Sequence, residues 1–427
     1  MGRTIEQQLS ELYLADPEVV GRGLPEAVNA ARRGFLETLT LAGLPTTRDE
    51  RYRHTDLRSM FTGDWEVRFE AEDGECEPLF AMDAHRITVV GGFCTGGLTE
   101  LPSGMIYGSL REAFSRWPEL VAKHYNSVAD NENDAVTALA SLFMQDGAFV
   151  YVPEGVKAEK PLLIEFRYDA GSGSLLSFPR ALIVAERGAS ADIVTLHHSS
   201  GRVLSDYVRE VVVGEGARLG IGEISIFGEG GSLIAGHYLA QQGSSETEMM
   251  NLWLRADAVR VNAVTDLRGR DADSNLKSLY FGTGGQRTDI NITVNHLVPD
   301  CRSSELVKGI VSGEAVGAFT GKVYVAKDAQ RTAAMQQSRN LQMSAAARIY
   351  TEPQLEIYAD DVKCSHGATV GQMDDDMIMY MRQRGISEED AKRLRLSGFV
   401  NDVLSECRHP EICAFIELNA EKRINEL

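Results

Sequence analysis

Between about Arg86 and Met373 the chain is written in short apolar and β-branched runs, typically four to seven residues long, separated by Gly, Ser, Asp and Asn. Leu162–Phe166, Ala181–Ala185, Leu219–Phe227 and Gly321–Ala326 are examples. The helical period is nearly absent between them, so the stretch reads as one long all-β body. Two segments echo each other: Arg180–Val194 and Arg209–Ile221 each run from a strand through a turn bearing Gly-Ala into another strand. A recurring unit of this kind suits a coil that stacks rungs into a β-solenoid, each rung burying its inward face on its neighbours. A β-sandwich is the competing architecture, and the pattern leans only slightly to the solenoid.

The flanks have a different texture. Up to about Thr46, Val28, Phe35, Leu36 and Leu39 fall at helical spacing, with Pro25 at the start and Gly43 at the end. A charged, turn-rich connector follows through about Asp73. After Met373 the helical period returns: Asp374-Asp-Asp opens a helix that Gly385 ends, and Ser387 to Asp390 forms a capping-box-like start to a second. Leu394, Phe399, Val403 and Leu404 line that second helix. Pro410 separates it from a last one carrying Ile412, Phe415, Ile416 and Ile424. The predicted units are 1–73 helical with a connector, 74–373 β, and 374–427 helical.

The net charge of −19, from 43 basic and 62 acidic residues, repels nucleic acid and anionic membrane surfaces alike. No apolar run approaches the roughly 18 residues of a bilayer span. The chain opens without the apolar core of a secretion signal. The expected setting is therefore the cytoplasm, with Cys76, Cys94, Cys301, Cys364, Cys407 and Cys413 as free thiols.

Several motifs fail on inspection. Gly317 to Val323 resembles a phosphate-binding loop, but three residues separate its glycines where four are needed, and Val323 replaces the magnesium-binding hydroxyl. It is expected to be a strand-flanking turn. Gly214 to Gly220 misses the dinucleotide fingerprint because Leu219 stands where the third glycine belongs. No Gly-x-Ser-x-Gly or His-Glu-x-x-His occurs. A carbohydrate-cleaving groove built from scattered carboxylates has no pair to single it out. Cys407, His409 and Cys413 could form a metal clip, but the cysteines fall on apolar helix sides, where packing is the stronger reading. Adjacent His197 and His198 would point to opposite faces of a strand.

The most unusual stretch runs from Glu356 to Gly371 and contains Cys364-Ser-His366. In an extended chain both side chains share one face, with Cα atoms about 6.5 Å apart. A thiolate and an imidazole suit iron, zinc or an iron–sulphur cluster, yet two ligands leave a tetrahedral site half empty. The remaining ligands are expected from a second chain. The competing reading is a packed cysteine beside a turn histidine.

The run Glu356-Ile-Tyr-Ala-Asp-Asp-Val-Lys-Cys-Ser-His-Gly-Ala-Thr-Val-Gly, followed by Asp374-Asp-Asp-Met-Ile-Met-Tyr-Met-Arg-Gln-Arg-Gly-Ile, closely resembles the C-terminal signature of SufD-type members of the SufB/SufD family. These are subunits of the SufBCD iron–sulphur cluster assembly complex. The resemblance implies a right-handed parallel β-helix between helical terminal domains, and a scaffold without a catalytic site. Its implied partners are a SufB-like homologue along the β-helix and a SufC-like ATPase on the C-terminal helices, and ATP-driven motion of the ATPase would shift the interface. The family's functional histidine falls on His366, with Cys364 matching the cysteine beside it. Any cluster or iron would be transient and shared with the SufB-like partner. An isolated chain could form a homodimer through the same exposed edge. The alternatives are a SufB-like cluster builder and, further off, a β-helix carbohydrate enzyme. Where relatives resemble Trp-Arg-Tyr-Thr, this chain has Tyr52-Arg53-His54-Thr55, which leaves the role of that segment open.

Overall fold

The computed structural model describes residues 4–71 and 77–427, apart from the side chain of Asp375. Cys76 and the expected boundary at 73/74 lie outside the described residues. The N-terminal region holds α1 (Ile5–Ala15), α2 (Pro17–Val20), α3 (Glu26–Ala42) and α4 (Leu57–Phe61). Thr4 caps α1 with a full capping box, and Pro25 and Gly43 bound α3 as read from sequence. Strands β1 (Glu66–Val67), β2 (His85–Val90), β3 (Phe93–Cys94), β4 (Thr99–Glu100) and β5 (Ile106–Ser109) lead towards the body. Three helices follow: α5 (Leu110–Arg116), α6 (Pro118–His124) and α7 (Ala135–Phe143). Sequence reading missed them because two are only seven residues long and α7 is buried on all sides, so it has no amphipathic stripe.

From residue 147 to 371 the chain is a parallel β-solenoid of about eight turns. Its strands are β6 (Gly147–Val152), β7 (Leu162–Ser177), β8 (Arg180–Ala185), β9 (Ser190–Val213), β10 (Arg218–Ile226), β11 (Gly231–Gln241) and β12 (Glu246–Arg255). They continue as β13 (Ala258–Leu267), β14 (Asp273–Gly282), β15 (Arg287–His296), β16 (Arg302–Val311), β17 (Val316–Val325), β18 (Thr332–Gln342), β19 (Arg348–Ile357) and β20 (Val362–Gly371). From β10 onward each strand pairs in parallel with the strand two places away, so successive turns stack in register. The Gly-Ala echo marks one corner: the amides of Gly188 and Gly216 donate to Glu215 and Gly243 one turn on. Both glycines have φ of +66°, the left-handed conformation that the corner requires.

The core lies between the two long faces, and residues directly opposite in the ladder point the same way. One inner file runs from Ile221 through Met249 and Leu276 to Glu305, Gln336 and His366. It is apolar in the middle of the solenoid and polar over the last three turns. Gly317 and Gly321 lie inside β17 and not in a turn, contrary to the sequence reading. A Cβ on Gly317 would fall 2.6 Å from the Tyr280 ring, and one on Gly321 would fall 2.4 Å from Gln336 Nε2. Both glycines therefore make room for a side chain crossing the core.

After β20 come α8 (Asp375–Gln383), α9 (Glu388–Leu404) and α10 (Pro410–Asn425). Asp374 caps α8 and Ser387 caps α9. The Asp390 carboxylate accepts from the Ser387 hydroxyl at 2.6 Å. Leu396, Val400, Val403, Ile412 and Ile416 pack on the outer flank of the solenoid, against Leu196, Ile224, Leu252 and Leu279, and not on its last turn. Lys308 fastens this contact, donating to the Phe399 carbonyl at 2.7 Å and pairing with Asp402. Cys407 and Cys413 form a disulfide, which corrects the expectation of free thiols. The chain reverses at Pro410 and brings their Cα atoms to 5.7 Å. His409 instead pairs with Asp192 at 3.0 Å, so these three residues make no metal clip. No described helix is long and apolar enough to cross a membrane.

Candidate functional site on the terminal turn

The last turn consists of β19 and β20. Among the described strands β19 pairs only with β17 and β20 only with β18, which leaves the outer edge of each open. An open edge is a row of unpaired backbone donors and acceptors, a template for another chain. Tyr350, Ile357, Tyr358 and Val370 are exposed around it.

Cys364 stands opposite Ala334 and His366 opposite Gln336, so both belong to inward-facing files, as their spacing predicts. With no further turn above them, these files are uncovered. Cys364 is half-buried against the small cluster of Val323, Val325, Ala334 and Ala359. Burial pushes its thiol up, so it is uncharged at neutral pH until a metal or base takes its proton. His366 is exposed and borders a groove of about 310 Å³ with Gln336, Ser338, Arg339 and Thr369.

Behind His366 the inner file continues into the protein. Gln336 is fully buried and its Nε2 donates to Glu305 Oε2 at 3.0 Å. Burial raises the Glu305 carboxyl to about 7, against the smaller opposing effect of the Gln336 hydrogen bond. Deeper still, Glu223 is paired with His237 at 2.9 Å and Arg209 at 3.1 Å. Burial opposes its charge, but the interactions with His237 and the Arg209 guanidinium outweigh it and bring the carboxyl down to about 2. His197 and His198 diverge as expected. His197 is buried, stacked on Phe166 and pushed down to about 4 by burial, whereas His198 is half-exposed.

The other described cysteines lie away from this edge. Cys301 is buried, and the half-buried Cys94 thiol is raised to about 12 by burial and by Asp146. No group of three or more His, Cys, Asp and Glu among the described residues is arranged to hold a metal ion.

Sequence reading missed the anchoring of the connector. Tyr52 is buried beneath the Arg260 guanidinium, and Thr55 donates to Asp289 at 2.6 Å. Arg53 pairs with Glu352 at 3.1 Å, and the His54 ring stacks on Tyr350 at 4.2 Å. Arg53 and His54 thus brace β19 from some 300 positions away, while Tyr52 and Thr55 anchor the segment on β13 and β15. No local pattern signals a contact of that range.

Comparison with known proteins matches the same regions. Residues 166–399 fit the family described as SUF system FeS cluster assembly, SufBD core domain, and residues 3–164 fit the SufBD protein N-terminal region. An iron–sulphur cluster assembly SufBD family protein of Synechocystis is 29% identical over 88% of this chain and 86% of its own length. The iron–sulphur cluster assembly protein SufD of Escherichia coli is 28% identical over 87% of this chain and 88% of its own. Protein ABCI7, chloroplastic, of Arabidopsis thaliana is 28% identical over 89% and 83%. With a core match from within the solenoid to α9 and an N-terminal match before it, the chain belongs to the SufBD family of SUF iron–sulphur cluster assembly proteins.

Proposed function

We propose that this chain fills the SufD role: a scaffold that meets a SufB-like homologue along the open edge of β19 and β20 and brings His366 to the interface where a cluster forms. The support is the terminal turn itself. It combines an unpaired edge, exposed aromatic and aliphatic side chains and two potential ligands on adjacent inward positions, and two ligands call for a second chain to complete the set. Iron and sulphide are substrates here. His366 is the exposed metal ligand; Cys364 needs to lose its proton before it can join. The N-terminal residues 1–73, the β unit 74–373 and the helical residues 374–427 would then divide the work into bracing, interface and ATPase docking.

The docking surface for a SufC-like ATPase is the outer side of α8 and the start of α9, where Met377, Met379, Tyr380 and Leu394 are exposed. α9 is tied to the solenoid through Lys277 of β14, Lys308 of β16 and Arg339 of β18, the last at 3.8 Å from Asp402, so force on these helices reaches the strand that pairs with β20. The setting is the cytoplasm, and the isolated chain would pair with itself through the edge its partner normally covers.

The test is anaerobic cluster formation by the complex co-expressed with its SufB-like and SufC-like partners, comparing wild type with His366→Ala and Cys364→Ser. Loss of the cluster in His366→Ala with the complex intact is expected. Full cluster formation by that variant would refute the assignment.

A further inference from the structure

The inner file behind His366 holds a chemical arrangement that the family reading does not use. Three successive turns present Glu305, Gln336 and His366 directly opposite one another, at the roughly 4.8 Å spacing of paired strands. Gln336 is fully buried, and its NH2 group is committed to Glu305. Its carbonyl oxygen is also buried and has no hydrogen-bond partner within the chain, nor has Glu305 Oε1. An unpaired buried carbonyl costs on the order of 1–3 kcal/mol, so its position beside an imidazole calls for an explanation. Gly321 supplies the space: any side chain there would strike the Gln336 amide.

A histidine that offers one ring nitrogen to a metal ion needs a partner for the N–H of the other. That partner fixes both the tautomer and the ring orientation. Resting on the reading of His366 as a ligand, we propose that Glu305 and Gln336 are its positioning residues. Glu305 holds the Gln336 amide by its NH2 group. When the exposed imidazole turns towards it, the freed Gln336 carbonyl oxygen accepts the N–H of one ring nitrogen and leaves the lone pair of the other for incoming iron. The arrangement works whether Glu305 is ionised or neutral, because a carboxyl oxygen accepts from the amide in both forms.

The experiment is nitrogen-15 NMR of the histidine side chains in the full-length chain at alkaline pH, with His366→Ala to assign the resonance. Wild type and Glu305→Gln, which keeps an acceptor for Gln336, are expected to show His366 in one tautomer. Gln336→Leu and Glu305→Leu are expected to show exchange between two. Gln336→Met, of matching length, replaces Gln336→Leu if that variant does not fold by circular dichroism. In the complex, the Gln336 variant should form cluster at least about tenfold more slowly, the scale of losing a metal ligand's hydrogen-bond partner, while Glu305→Gln keeps the wild-type rate. Two exchanging tautomers in the wild type, or one tautomer in both Gln336→Leu and Glu305→Leu, would overturn the proposal. The two readings separate cleanly: if His366→Ala loses the cluster while the Gln336 variant changes neither tautomer nor rate, only the positioning role fails.

Discussion

Replacing Glu305 by glutamine should change how stability depends on pH. Glu305 is wholly buried, with its carboxyl raised to about 7, whereas in the unfolded chain it ionises near 4.5. A group whose folded value lies above its unfolded value contributes stability that is complete below the unfolded value and is lost as pH rises through the folded one. The window is therefore pH 4.5 to about 7. At about 1.4 kcal/mol per pH unit, the gap corresponds to about 3 kcal/mol. Glutamine keeps an acceptor for Gln336 but cannot ionise, so Glu305→Gln removes this loss. Urea unfolding of both proteins at about pH 5 and about pH 8 measures it. The variant should gain on the wild type by roughly 2–3 kcal/mol between the two conditions. His197 and His296, both pushed down to about 4 by burial, are present in both proteins and cancel in the difference. A difference that is independent of pH would refute the reasoning.

Arg209→Met should destabilise the chain by about 3–5 kcal/mol in urea unfolding, because it removes a cation from the buried Glu223 carboxylate. Gly321→Ala should cost about 1–3 kcal/mol in the same assay, since its methyl group meets the Gln336 amide and the Phe319 ring. Cys407→Ser should lower stability by about 2 kcal/mol, the value for so short a closed loop, under oxidising conditions. With a reductant present, wild type and Cys407→Ser should melt together.

The long β body was legible because its apolar runs are short, β-branched and punctuated at corners, and the Gly188-Ala189 and Gly216-Ala217 echo leaned it towards a solenoid. The terminal helices were legible from caps such as Asp374 and Ser387, whose physics is local. What escaped depends on contacts between distant residues. The glycines of β17 look like turn residues until Tyr280 and Gln336 are seen crossing the core beside them. α7 has no polar face to betray it, and the disulfide depends on the reversal at Pro410. Within the site, period-two spacing alone put Cys364 and His366 on one side of a strand. Glu305 and Gln336 could not be found that way, because only the register of three turns brings them into line.

The central claim is that the open edge of β19 and β20 meets the SufB-like partner. A photo-crosslinking amino acid placed at Tyr358, which is exposed beside that edge, tests it within the assembled complex. The same residue at Tyr380 on α8 and at Leu41 on α3 serves for comparison, both positions being exposed. The account predicts capture of the SufB-like subunit from position 358, of the SufC-like ATPase from 380, and of neither from 41. An intact complex that gives no SufB-like product from 358, or gives it from 41 instead, would contradict the account.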